Sequence, residues 1–99
     1  MGAVKYSLIV PVYCNEPYIA ELIEAVRRLD RALDHRLEAV FVIDGSPDRS
    51  YERLAIALPE SGLTAQLITL SRNFGSFSAM REGLAAARGD YMAMMAADL

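Results

Sequence analysis

Cysteine, histidine and lysine each occur once in this chain of 99 residues, and each scarcity closes a route. Cys14 has no partner within the chain, and no CxxC or His-rich spacing offers a zinc site. Disulfide stapling and structural zinc are therefore excluded, and a reducing, cytoplasmic setting is the default. The one histidine, His35, sits in an AspHisArg run at the expected end of a helix, which argues against a Ser/His/Asp triad or a Cys/His pair. Basic charge is short too: 10 Lys and Arg face 13 Asp and Glu, a net charge of −3. No non-specific attraction to nucleic acid or to an anionic membrane surface follows from that balance. No apolar run is long enough to span a bilayer. The N-terminal MGAVKYSLIV lacks the charged leader and small-residue cleavage site of a secretory signal, so it reads as a first strand. Glycine-rich phosphate cradles are missing as well, with neither GxGxxG after the first strand nor GxxxxGK[ST] anywhere.

What is present is apolar and regularly punctuated. With 54% hydrophobic residues, the chain can bury one modest core, so it is a single domain or a piece of one. The segment Ala39 to Ser50, AVFVIDGSPDRS, is an apolar β-branched run closed by turn formers, and predicts a buried central strand that delivers Asp44 to its carboxyl end. Ahead of it, Tyr6 to Tyr13 predicts a strand whose regular pairing fails at about Pro11. Asn15 is the expected N-cap of a first helix, with Pro17 in its first turn. Its apolar stripe is Ile19, Leu22, Ile23, Val26, Leu29 and Leu33, while Glu21, Glu24, Arg27, Arg28, Asp30 and Arg31 make a solvated face.

A second helix begins at Ser46 with Pro47, or at Ser50, with the stripe Tyr51, Leu54, Ala55 and Leu58, and stops at Pro59 to Gly62. Thr64 to Ser71 predicts a strand near the sheet edge, and delivers Arg72, Asn73 and Phe74 to the same rim as Asp44. A third helix starts at about Ser76, with Phe77, Met80, Leu84 and Ala87 inward and Gly89 as its left-handed stop. Tyr91 to Ala97 is a fourth strand, closed by Asp98, whose Met92, Met94 and Met95 are expected in the core.

Strands and helices thus alternate with short connections, which predicts an α/β, Rossmann-like, mostly parallel sheet with helices on both faces. All strands of such a sheet end on one side, so Glu16, Asp44, Arg72 and Asp98 are expected to converge on one rim, where open α/β sheets bind ligands. Carboxylates about 4 Å apart repel by roughly 1 kcal/mol in water and about 4 kcal/mol at an effective dielectric of 20. An acidic rim therefore stays apart, titrates upward or holds a cation, and Mg²⁺ or Mn²⁺ shared with a ligand's phosphates is the natural partner.

SLIVPVYCNEP, VFVIDGSPDRS, LSRNFGSFSAMREGLAAARGD and MMAADL, in this order at successive strand ends, resemble the N-terminal, nucleotide-sugar-binding half of the family 2 inverting glycosyltransferases with a GT-A fold. The branch they are most similar to is that of the polyprenyl-phosphate sugar synthases, which includes dolichol-phosphate mannose synthase. The resemblance covers residues 6 to 99, and implies that residues 1–99 are the donor-binding part of a GT-A domain that breaks off inside a DxD-like motif. It implies a nucleoside diphosphate sugar, with UDP or GDP as the nucleotide, held by Pro11, Tyr13, Glu16, Val42, Asp44, Arg72, Ala97 and Asp98. Asp98 would be the ligand of a divalent cation, Mg²⁺ or Mn²⁺. It further implies transfer with inversion to a lipid-linked or saccharide acceptor, such as a polyprenyl phosphate, and a parent protein at the cytoplasmic face of a membrane. The catalytic base would lie downstream of Leu99.

Three positions depart from the family pattern: Cys14 is inserted in PxYNE, Ile43 replaces the first Asp of AspAspGlySer, and Ala96 replaces the first Asp of DxD. Two other classes remain open on the residues alone. A receiver-like, phosphoryl-handling domain also gathers acids at strand ends around Mg²⁺, but usually needs a lysine on a late strand, and Lys5 opens the first strand. A non-catalytic interaction domain of the same fold would explain Ile43 and Ala96.

Overall fold

A computed structural model describes residues 3–97. Strand β1 (Tyr6–Val12) leads through a short 3₁₀ turn (Glu16–Tyr18) into helix α1 (Ile19–Ala32), followed by β2 (Leu37–Ile43), α2 (Ser50–Ser61), β3 (Thr64–Thr69), α3 (Ser76–Ala86) and β4 (Tyr91–Met94). All pairings are parallel, in the order β3-β2-β1-β4. The chain builds outward from β1 through β2 to β3, then crosses back to add β4 on the other side of β1. The direction of winding therefore reverses between β1 and β4, and at such a switch point the connections diverge and leave a crevice outside the carboxyl ends of the strands.

Strand alternation sorts the core into two layers. Leu8, Val10, Val12, Leu37, Ala39, Phe41 and Ile43 pack with Ile19, Leu22, Ile23 and Val26 of α1 and Leu54 and Leu58 of α2. Ile9, Val40 and Val42 face the opposite way and pack with Ala79 of α3. Helices thus cover both faces, as the alternation of elements predicts. Every residue of β2 is buried, which suits its place inside the sheet, and β3 is an edge.

Several expectations need correction. Pro11 does not interrupt pairing: β1 stays in register with β2 through Pro11↔Val42 and Val12↔Ile43. The Ile9 carbonyl accepts from Met95 N, so residues of that parity turn their polar groups toward β4. The β4 ladder ends at Met94, and the missing N–H of Pro11 falls beyond it. On α1, Leu29 is 37% exposed and Asp30 is buried instead. Asp30 bonds His35 Nδ1 (2.9 Å) and Leu37 N (3.3 Å), and so seals the turn into β2. On α2, which starts at Ser50 and runs through Pro59 to Ser61, Tyr51 and Ala55 are exposed. The left-handed stop is Gly62 (φ 79°).

The largest corrections concern α3 and β4. Phe77 is 76% exposed, and the buried positions are Ala79 and Gly83. The helix lies so close to the sheet that a Cβ on Gly83 would come within 2.4 Å of Ile9 Cγ2, so only small residues fit its inner face. It ends in an extended Ala87, and Gly89 is not left-handed. Gly89 is instead a close approach, with a Cβ 2.8 Å from Ser7 N. β4 is a four-residue edge strand with Tyr91, Met92 and Met94 exposed, so these methionines are not core, whereas Met95 packs partly against it.

Glu38, on β2, is a fully buried acid. Its carboxylate accepts from Ser7 Oγ (2.7 Å), Gln66 Nε2 (3.1 Å), Arg88 N (2.5 Å) and Arg88 Nε (3.1 Å). Burial pushes its pKa up, but the hydrogen bonds from Arg88, Ser7 and Gln66 outweigh burial and hold it below the ordinary value of 4.5.

Because the folded-state pKa of Glu38 is depressed, its contribution is full above the ordinary glutamate value and is lost as pH falls through the folded value. Urea denaturation at pH 7 and at pH 4 and below should show wild type losing more stability on acidification than Glu38→Gln. Gly83→Ala should cost about 1–3 kcal/mol through overpacking despite its better helix propensity. Phe77→Ser should stay within about 0.5 kcal/mol.

Candidate donor-binding cleft

A cleft of about 500 Å³ opens where the topology puts it, at the carboxyl ends of β1, β2 and β4. Pro11, Val12, Tyr13 and Asn15 form one wall, Met94, Met95, Ala96 and Ala97 another, with Asp44 beneath and Asn73, Gly75, Ser76 and Met80 closing it from the α3 side. Of the residues the family resemblance names, Pro11, Tyr13, Asp44 and Ala97 are brought together here. Asp98 lies outside the described residues.

Asp44 is 2% exposed, and its carboxylate is already engaged. It accepts from Phe74 N (2.8 Å), Gly75 N (3.0 Å) and Asn73 Nδ2 (3.2 Å), all in the loop that leads into α3. An ionised carboxylate offers about four acceptor positions. Three hydrogen bonds leave Asp44 room for roughly one more donor, such as a base N–H or a ribose hydroxyl. Gly45 permits this arrangement: its φ is +61°, and a Cβ there would fall 2.1 Å from the carbonyl carbon of Arg72. Ile43 points into the α1/α2 layer, so the replacement of the family's first Asp does not alter the cleft.

Glu16 is held elsewhere. Its carboxylate accepts from Arg49 N (3.1 Å) and pairs with Arg53 Nε (3.1 Å), beside a separate depression lined by Pro17, Ile19, Arg49 and Arg53. The Glu16 amide donates to Asp48 (3.1 Å), which also accepts from Ser46 Oγ and from Ser50 N (3.1 Å). Cys14 N donates to Ser46 Oγ and Asn15 N to Ser50 Oγ. These bonds fasten the loop after β1 to the loop after β2. Burial raises the Asp48 pKa, but bonds from Ser46, Ser50 and Glu16 outweigh it and hold the carboxyl below its ordinary value. Asn15 makes no side-chain cap; its Oδ1 accepts from Tyr13 N (2.8 Å), which fixes the Tyr13 backbone at the cleft mouth.

Val42 is fully buried beneath α3 and offers no surface to the cleft. Arg72 is exposed, with its guanidinium 4.8 Å above the Phe74 ring, and does not line the cleft. The four expected rim residues are therefore not a single cluster: strand ends share a rim, but side chains on alternate faces and loops diverge. Ser76 and Met80 are lining residues that the sequence reading did not name as site residues. The signal available for them was their position in the first helical turns after a rim loop. Tyr13 is 46% exposed, and its hydroxyl is held above the ordinary value chiefly by the neighbouring Cys14, then by Asp44 and Asp48. It therefore stays a neutral donor at physiological pH.

For a cation, Asp44 is the one acid among the described residues lining the cleft, and no group of three or more His, Cys, Asp or Glu among the described residues could hold a metal ion. The described residues alone do not fit a divalent cation.

The family model for glycosyl transferase family 2 matches residues 7–99. The chain belongs to glycosyl transferase family 2. It is 37% identical over 93 residues to the undecaprenyl-phosphate 4-deoxy-4-formamido-L-arabinose transferase of Pseudomonas paraeruginosa, a match covering 94% of this chain and 27% of that protein. It is 34% identical over 97 residues to the dodecaprenyl-phosphate galacturonate synthase of Rhizobium johnstonii, covering 98% and 29%. Among solved structures, S. aureus TarS 1-349 in complex with UDP-GlcNAc superposes with a TM-score of 0.82 at 26% identity, covering 96% of this chain and 27% of that one. The Pyrobaculum calidifontis mannosyltransferase PcManGT in complex with GDP-Man and Mn²⁺ gives 0.80 at 27% identity, covering 99% and 28%. The family 2 chain thus has an α/β, Rossmann-like fold that matches these GT-A neighbours, and it spans under a third of the length of the relatives it matches.

Two loop glycine tests separate strain from contact. Gly45→Ala combines an unfavourable φ with backbone overlap, and should cost more than about 2 kcal/mol. Cys14, at φ 55°, is exposed with no such overlap, so Cys14→Gly should raise stability by up to about 1 kcal/mol in urea denaturation.

Proposed function

We propose that this chain is the donor-binding part of a glycosyltransferase, and that its cleft takes the nucleotide of a nucleoside diphosphate sugar. The observation that carries this reading is the convergence of Pro11, Tyr13, Asp44 and Ala97 at the switch point of a family 2 chain. The apolar lining of Pro11, Val12, Tyr13, Met80 and Met94 suits the face of a base, on which the half-exposed Tyr13 ring stacks in this reading. Asp44 has room for one further hydrogen bond, while the loop 73–75 fixes its carboxylate in place.

The parent reaction in this reading is transfer of the sugar, with inversion, to a polyprenyl phosphate or a saccharide; relatives named for undecaprenyl- and dodecaprenyl-phosphate chemistry support the former. Residues 1–99 supply the donor side, and the acceptor site and base belong to sequence outside them. Mg²⁺ or Mn²⁺ rests in this reading on Asp98, the donor's diphosphate and residues outside this chain. A parent protein at the cytoplasmic face of a membrane belongs to this reading; among the described residues no helix is long and apolar enough to cross a bilayer. The receiver-like alternative receives no support from the family match, and Lys5 lies at the amino end of the sheet beside Tyr6 and Tyr91.

Thermal unfolding with UDP and with GDP, each with and without Mn²⁺, tests the proposal. At 100 times its Kd, the preferred nucleotide should stabilise the fold by about 2.7 kcal/mol, a rise on the order of 10 °C. Tyr13→Ala should remove about 1–3 kcal/mol of binding if the ring stacks on the base, and leave the unliganded Tm nearly unchanged. A folded sample that responds to neither nucleotide would refute the donor-site reading for this chain.

A further inference from the structure

The α3-facing side of β2 reads Glu38, Val40, Val42, Asp44: two apolar residues between two buried acids. Each acid holds one end of α3. At the amino end, Asp44 gathers Asn73, Phe74 and Gly75. At the carboxyl end, Glu38 takes both the amide and the Nε of Arg88. Gln66 ties Glu38 Oε1 to the Ala86 carbonyl (3.1 and 2.9 Å), and Ser7 Oγ, which donates to Glu38, accepts from Gly89 N (2.8 Å). Between the acids, Ala79 and Gly83 sit on Ile9, Val40 and Val42 without space for an added methyl at Gly83.

A helix of 11 residues, about 16 Å long, is thereby pinned at both ends to one strand. The middle contact is made of small residues and carries no side-chain hydrogen bond, so the two ends supply the polar anchoring. Ser76 and Met80 of this helix line the cleft and the loop before it fills the Asp44 carboxylate, so a tilt of α3 on release of the Glu38 end would be felt there.

We propose that Glu38, which lies at the end of the sheet opposite the cleft, is a positioning residue for it, acting through α3. The functional half of this proposal rests on the donor-site reading above; the mechanical half does not. Isosteric Glu38→Gln removes the charge that organises Arg88, Ser7 and Gln66 and leaves the volume intact. Should that variant not fold, Gln66→Leu severs the tie to the Ala86 carbonyl with Glu38 in place.

The experiment compares amide hydrogen exchange in the full 99-residue chain for wild type, Glu38→Gln and Leu58→Ala, the last thinning the core on the opposite face. Global destabilisation alone raises exchange in the same pattern in both variants. If Glu38 positions the cleft, Glu38→Gln raises exchange at Phe74 and Gly75 by about tenfold beyond the Leu58→Ala control, and weakens binding of the preferred nucleotide by about 5- to 30-fold. Faster exchange confined to residues 86–91, with Phe74 and Gly75 matching the control, overturns it. Altered exchange at Phe74 and Gly75 with unchanged nucleotide affinity also overturns the positioning role. A wild type that binds neither nucleotide refutes the donor-site reading, while the exchange comparison still decides whether the clamp transmits from one end of α3 to the other.

Discussion

A carboxylate buried at the end of a buried strand needs its oxygens filled by hydrogen-bond donors, and Asp44 meets that demand with N–H groups of the loop that precedes α3. That requirement shapes the cleft. The loop must come down onto β2, so Gly45 must lack a side chain and take a left-handed conformation. Once the loop is there, α3 begins at Ser76 and sets its first turns beside the cleft at the end of β1. A carboxylate so engaged is a fixed acceptor with little capacity left, better suited to receiving one donor from a ligand than to holding a cation.

The same demand recurs at Glu38, six residues earlier on the same face. Two acids in a strand that is otherwise apolar would be a liability in isolation. Placed at the two ends of one helix, they become its fasteners, and the helix needs little apolar grip of its own. This accounts for an inner face made of Ala79 and Gly83 where a stripe of larger residues would be expected. A third acid, Asp48, joins the loop after β1 to the loop after β2 and draws Glu16 toward Arg49 and Arg53, away from the cleft. Each of the three solves a local problem of unpaired N–H groups, and together they set which side chains reach the ligand side.

Much of the fold was legible because its signals are local. The apolar run at Ala39 to Ile43, the stripe of Ile19, Leu22, Ile23 and Val26, and the turn formers between segments each depend on neighbouring residues alone. Hydrophobicity misled where it stood in for burial. Phe77, Met92 and Met94 are apolar and exposed, because α3 approaches too closely for a large inner side chain and β4 is an edge with nothing beyond it among the described residues. Asp30 and Glu38 are charged and buried, because each serves hydrogen-bond donors that are distant in sequence or created by a turn. Pro11 looked like a break and is not one, since the direction of its missing N–H depends on where β4 stops.

By itself the sequence determined the alternation of elements, the parallel sheet that short crossovers require, and the motifs that place the chain in glycosyl transferase family 2. These follow from spacing, turn chemistry and residue order, which need no knowledge of distant neighbours. Only the tertiary structure decided which rim residues meet: Pro11, Tyr13, Asp44 and Ala97 converge, Glu16 and Arg72 turn elsewhere, and Val42 is sealed under α3. The reason is that a strand delivers residues to a rim, whereas their direction depends on pleat parity and on hydrogen-bond partners contributed by loops about 30 residues away in the chain.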